Sequence, residues 1–160
     1  MVASWLRREA REERKGAKGV EPQNVLVAVA GNSMDDDLVR MACTMAMKRK
    51  GRVIAINVVE VPRTLPLNAV VEGATVEQVL DSAVAVAESM HVEIEAEVVQ
   101  AREAGPAIVD EANDRQCRLI LLGLVARTRF GQFDLGKTVP YILEHAKGRV
   151  WVVRDDCDIC

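Results

Sequence analysis

Four short runs nearly free of polar side chains punctuate the chain: 25–30 (VLVAVA), 53–59 (VIAINVV), 119–122 (LILL) and 150–153 (VWVV). Each is too short for a buried helix and has the look of a strand covered on both faces. Between them, apolar residues recur at helical spacing. Leu38, Val39, Ala42, Met45 and Ala46 form one stripe, and Val76, Val79, Leu80, Ala83, Val86, Ala87 and Met90 form another. A further strand, 92–98 (VEIEAEV), alternates apolar residues with Glu, so one of its faces meets water and it belongs at a sheet edge. Buried strands alternating with amphipathic helices predict a single-domain α/β fold, Rossmann-like, with a five-stranded parallel sheet and helices on both faces. VWVV comes last, is wholly apolar and carries no guarding charge. An unguarded edge of that kind invites a second copy, which predicts a homodimer through the Val150 to Val153 strand.

Local signals refine the elements. Ser33 with Asp36, and Thr75 with Gln78, have the spacing of capping boxes, while Pro106 and Pro140 open the later helices. The connection 61–73, with Pro62 and Pro66, is long for a compact domain and is expected to act as a lid.

Composition excludes several classes. A net charge of −3 argues against a nucleic-acid binder. No apolar run reaches membrane-spanning length, and the start lacks the apolar core of a signal peptide. Four cysteines without a secretion signal point to free thiols in a reducing, cytoplasmic setting. Domain organisation reads as a basic segment over 1–23, helical or disordered, a domain over 24–154 and a tail over 155–160. Residues 1–19 carry net +3, leaving −6 for the rest, and Trp5 and Leu6 beside several Arg also suit an anionic lipid surface. Cys157 and Cys160 form a C-x-x-C read as tail thiols, with a dimer-bridging metal as the sharper reading. Cys43 and Cys117 read as core residues, and His91 and His145 as solvated. Asp35, Asp36 and Asp37 are explained by the helix dipole. With no nucleophile–base pair and no paired carboxylates, the chain is expected to be neither an enzyme nor a metal protein.

The stretch 118–141 is where a ligand is expected. An apolar strand passes through Gly123 into a basic loop and reaches Gly136, Lys137 and Thr138 at a helix start, where N–H groups and dipole favour an anion. Residues 131–138 also match G-x-x-x-x-G-K-[ST]. A P-loop follows its strand directly, however, and here eight residues separate Leu122 from Gly131.

The order of elements, with VLVAVAGNS, Val59-Glu60-Val61, Gly105-Pro106-Ala107, the run from Leu119 to Gly123 and the ending GRVWVV, resembles the universal stress protein family over about 24–154. The resemblance implies strand order 3-2-1-4-5 and an adenine-nucleotide cleft taking ATP with Mg²⁺ or a related nucleotide. Nucleotide-binding members carry G-x-x-G, nine residues, then G-[ST]. Here the frame is Gly123 to Ala126, nine residues, then Gly136 and Lys137. Ala126 and Lys137 depart from it, as does Ala30, where an Asp is usual. The implied nucleotide-binding residues are Val29, Ala30, Gly31, Val58, Gly123, Ala126, Arg127, Arg129, Gly136, Lys137 and Thr138, with the three cations compensating for lost backbone contacts. Such a domain would act in the stress response as a dimeric binding and signalling module. Two other readings are a cytosolic regulatory module of a membrane transport system and an interaction protein that binds no nucleotide.

Overall fold

The computed structural model describes residues 22–70, 74–125 and 127–154. The basic N-terminal segment, Cys157 and Cys160 therefore lie outside the described residues, as does the end of the 61–73 connection.

The main sheet contains β1 (Asn24–Ala28), β2 (Val53–Glu60), β3 (Ile94–Ala101), β4 (Cys117–Leu124) and β7 (Arg149–Arg154). Its order is β3-β2-β1-β4-β7, all parallel, which is the expected 3-2-1-4-5 once the two hairpin strands inserted ahead of the last are counted. The Glu-bearing strand and the VWVV strand occupy the two edges. Helices α1 (Asp35–Arg49), α2 (Ala74–Ser89), α3 (Ala104–Asp114) and α4 (Thr138–His145) make the crossovers.

Strand alternation divides the core into two layers. Val25, Val27, Val53, Ala55, Leu119 and Leu121 point to one face and pack under Leu38, Val39, Leu80 and Ala83 of α1 and α2. Leu26, Ile54, Ile56, Ile120 and Leu122 point to the other, beneath Ile108 and Val109 of α3 and Val139 and Ile142 of α4. β1 is central and covered on both faces, which is why its run is apolar at successive positions. β3 is different. Glu95 pairs with Arg52 at 2.6 Å and Arg115 at 2.8 Å, and Arg115 also contacts Glu97 and, at 3.0 Å, Glu111. The Glu face expected to meet water is thus stitched to the turn after α3.

The capping boxes are not the ones expected. α1 is preceded by Met34 with no side-chain cap, and Asp36 instead accepts a bond from Ser82 Oγ of α2 at 3.0 Å. Thr75 lies inside α2 rather than ahead of it. At α3 the first amide, Ala104 N–H, is satisfied from another element, by Glu60 Oε1 at the end of β2 (2.9 Å). At α1 and α3 a neighbouring element reaches the carboxylate or free N–H before the local partner does, and spacing along the chain does not report that. The 61–70 connection is held to the end of β3: Val61 N–H donates to Ala101 O, Gln100 to Ala69 O, and Arg102 to the carbonyls of Val61 and Pro62.

Cys117, at the start of β4, is 8 % exposed, and burial pushes its thiol up to about 11. The unfolded thiol titrates near 8.5. Between these values the unfolded chain releases a proton that the folded chain keeps, so the stability Cys117 contributes is complete below about pH 8.5 and declines as pH rises toward 11. The expected size is on the order of 3 kcal/mol. Urea titrations across this range should show a steeper alkaline loss for the native chain than for Cys117→Ala. Parallel pH profiles would refute the assignment.

Candidate functional site

Strand order reverses at β1: β2 leaves it on one side and β4 on the other. The connections leaving β1 and β4 run to opposite faces, opening a crevice beyond the carboxyl ends of the strands. That crevice is a cleft of about 740 Å³, within the roughly 300–1,000 Å³ of small-molecule sites. Its floor is apolar, with Ala28, Val58, Ile108 and Leu122, and polar groups converge on it from Asn32, Asn57, Glu60, Asp134, Lys137 and Thr138.

Of the residues expected at the site, Val29, Ala30, Val58, Gly123, Arg127, Gly136, Lys137 and Thr138 line this cleft. Ala126 lies outside the described residues. Gly31 and Arg129 are not in the lining. Gly31 sits in a left-handed turn (φ +85°) with its N–H committed to Asp35. Arg129 is two residues beyond Arg127, its guanidinium 5.6 Å from the Phe130 ring centre. No described residue of the 61–70 connection lines the cleft, so its hydrogen bonds place it beside the site rather than above it. The basic loop expected after β4 is an antiparallel hairpin, β5 (Arg127–Arg129) and β6 (Gln132–Asp134). Its two-residue tip, Phe130 and Gly131, has φ of 52° and 73°, the positive pair that a type I′ turn requires.

Two features govern the electrostatics, and both are carboxylates bonded to backbone N–H groups. Asp35, 8 % exposed, folds back from the first turn of α1 and accepts from Gly31 N–H at 2.6 Å, Ala30 N–H at 3.1 Å and Asn32 N–H at 3.2 Å. Asp134 accepts from Gly136 N–H at 2.9 Å. The loop after β1 is a nest of amides of the kind that holds anions, and here the chain fills it with its own side chain. Positive charge facing the cleft comes from Lys137, Arg127 and the start of α4.

Asn57 ties the cleft together, its side-chain amide donating to Val29 O at 2.8 Å across the β1–β2 boundary. It is the one polar residue in VIAINVV, and that interruption was the signal by which it could have been found. Asn32, Glu60, Thr75 and Asp134 carried no such signal. Asn32 Oδ1 is buried at the cleft wall without a hydrogen-bond partner among the described residues. Gly123 has a packing role besides its place in the lining. A Cβ there would lie 3.0 Å from Leu38 Cδ1 and 3.1 Å from Met34 Cε, so any larger residue would have to push aside the ends of these two side chains.

Fold and cleft together define a doubly wound α/β domain with a ligand crevice at the point of strand reversal. The chain belongs to the universal stress protein family, whose model matches residues 21–154. Among solved structures it is similar to a universal stress protein from Archaeoglobus fulgidus (TM-score 0.66, 20 % identity, covering 81 % of this chain and 97 % of that one). The Archaeoglobus fulgidus protein in complex with dAMP is similar to it as well (TM-score 0.63, 20 % identity, 81 % and 96 % covered). So is an Arabidopsis thaliana family member with AMP bound (TM-score 0.57, 13 % identity, 86 % and 94 % covered). A search of curated proteins returned no match. At these identities the likeness establishes the fold.

Proposed function

We propose that the cleft holds an adenine nucleotide and that the protein acts without catalysis, as a cytoplasmic regulatory module of the stress response. The observation that carries this reading is the approximately 740 Å³ crevice, with an apolar shelf at Val58 on one side and Lys137 and Thr138 on the other. An aromatic base fits the first and a phosphate the second, and family members of the same fold hold dAMP and AMP. A bound nucleotide would draw Arg127 and the hairpin it belongs to toward the phosphates. That shifts the population of hairpin positions and changes the surface offered to a partner. Because Asp35 and Asp134 already occupy several N–H donors, phosphate binding leans on Lys137, Arg127 and the α4 N-terminus.

Titration calorimetry of AMP and of ATP with Mg²⁺ tests this on the intact protein and on Lys137→Ala. The expected result is micromolar binding that weakens about tenfold in the variant, roughly 1.4 kcal/mol. Absence of heat at millimolar nucleotide would leave an interaction module without a nucleotide.

The domain, over 24–154, is further proposed to pair with a second copy through β7. That strand contributes Trp151 and Val153 to one core layer and Val150 and Val152 to the other, and among the described residues no strand pairs with its outer edge. Light scattering at tens of micromolar should give twice the chain mass. A monomer at that concentration would remove the pairing.

A further inference from the structure

At the opposite end of the sheet from the cleft, a smaller cavity of about 240 Å³ opens where α1 finishes and β4 and β7 begin. Its floor is apolar: Val25 and Leu119 from neighbouring strands and Met45 from α1. Around this floor stand four cations, Arg49, Arg118, Lys147 and Arg149, and among the described residues no carboxylate is in the lining. Strand alternation puts Arg149 on the same sheet face as Trp151 and Val153, the face that carries Val25 and Leu119. Gly148 explains the convergence. A Cβ there would lie 2.9 Å from Arg118 O, so the turn into β7 lies against the start of β4 and brings Lys147 and Arg149 to Arg118.

The grouping is unusual for this chain, which is acidic overall. Like most of the chain's described cations, these four have no carboxylate within 4 Å among the described residues. Like charges gathered around one opening repel one another, by an amount that falls with their separation. The C-terminus of α1 accounts for Arg49, since cations are favoured there, but not for Arg118, Lys147 and Arg149, which lie on β4, β7 and the link between α4 and β7. A bound anion would offset the repulsion. The cavity falls below the size of drug-like clefts, and it is a half-open concavity at one end of the sheet rather than a stripe along which a nucleic acid or membrane could lie. Arg forks match phosphate oxygens in pairs.

We propose that this cavity is a second ligand site, for a small phosphate-type anion, separate from the nucleotide cleft and independent of whether that cleft is occupied. Amide shift mapping on the full chain, with inorganic pyrophosphate and with ribose 5-phosphate as probes, tests it. Pyrophosphate is expected to move the amides of Gln23, Gly148 and Arg149 in a saturable way. The double variant Arg49→Gln, Arg149→Gln should weaken that binding about tenfold or more, with an unchanged melting temperature, and Lys137→Ala should leave it as it was. A matching response to ribose 5-phosphate assigns the site to phosphate esters, and a response to pyrophosphate alone assigns it to the free anion. Shifts confined to Gly136, Lys137 and Thr138, or an affinity the double variant does not alter, would overturn the proposal.

Discussion

Replacing Asp35 by Ala is expected to cost about 3 kcal/mol of folding stability, more than any other single change in the acidic first turn of α1. Its carboxylate accepts from three successive backbone amides, at Ala30, Gly31 and Asn32, and hydrogen bonds to a charged group contribute about 1.5–3 kcal/mol each. The full sum is not expected, because Ala30 and Gly31 are exposed and their amides can turn to water in the variant. Asp37 is the control. It shares the helix turn and the dipole, but its side chain is 72 % exposed and its pair with Arg40 is a surface one, so Asp37→Ala should cost about 0.5 kcal/mol or less. Urea unfolding of the two variants separates a specific role from a general dipole effect. Equal losses would refute the assignment.

The second large effect concerns Gly51, where α1 hands over to β2. A Cβ at this position would lie 1.9 Å from Gln23 O and 2.4 Å from Gln23 C, both backbone atoms that no rotamer change can move. The two segments are joined on either side of that contact, by Gln23 N–H to Arg49 O and by Val25 N–H to Arg52 O. Gly51→Ala must therefore pull the entry to β1 away from the end of α1 and disturb the central strand. A loss of roughly 3 kcal/mol or more is expected, at the upper end of overpacking costs, lowering the melting temperature by roughly 10 °C in a chain of this size. Gly131→Ala is the comparison: nothing lies within 4 Å of its Cβ, and only its positive φ resists substitution. Its cost should be about 1 kcal/mol. Thermal melts in the reverse order would show that the Gly51 contact relaxes without cost.

These two residues also mark where sequence reasoning reached and where it stopped. The buried strands were legible because parallel strands covered on both faces leave runs such as LILL, and the wet edge because Glu alternates along β3. The strand order needed the family resemblance, since periodicity says which faces are apolar and nothing about which strand lies beside which. The β5–β6 hairpin was missed because Arg127, Thr128 and Arg129 are all exposed and so carry no apolar alternation to read. At the site, Lys137 and Thr138 could be found from local spacing. Asp35 could be assigned to the first turn of a helix, but not to the amides behind it. Which way a carboxylate turns depends on how the loop closes in space, and three acidic residues in a row give no means of choosing among them.

The two unlike edges of the sheet bear on how far assembly can proceed. Pairing through β7 about a twofold axis would consume the bare edge of both copies at once. What then faces outward at each end is β3, with Arg52 and Arg115 laid across Glu95 and Glu97. A strand arriving there would have to lay its side chains beside that row of charges. A sheet built this way terminates after one addition, so a fold made of the kind of strands that seed filaments is expected to stop at a closed pair.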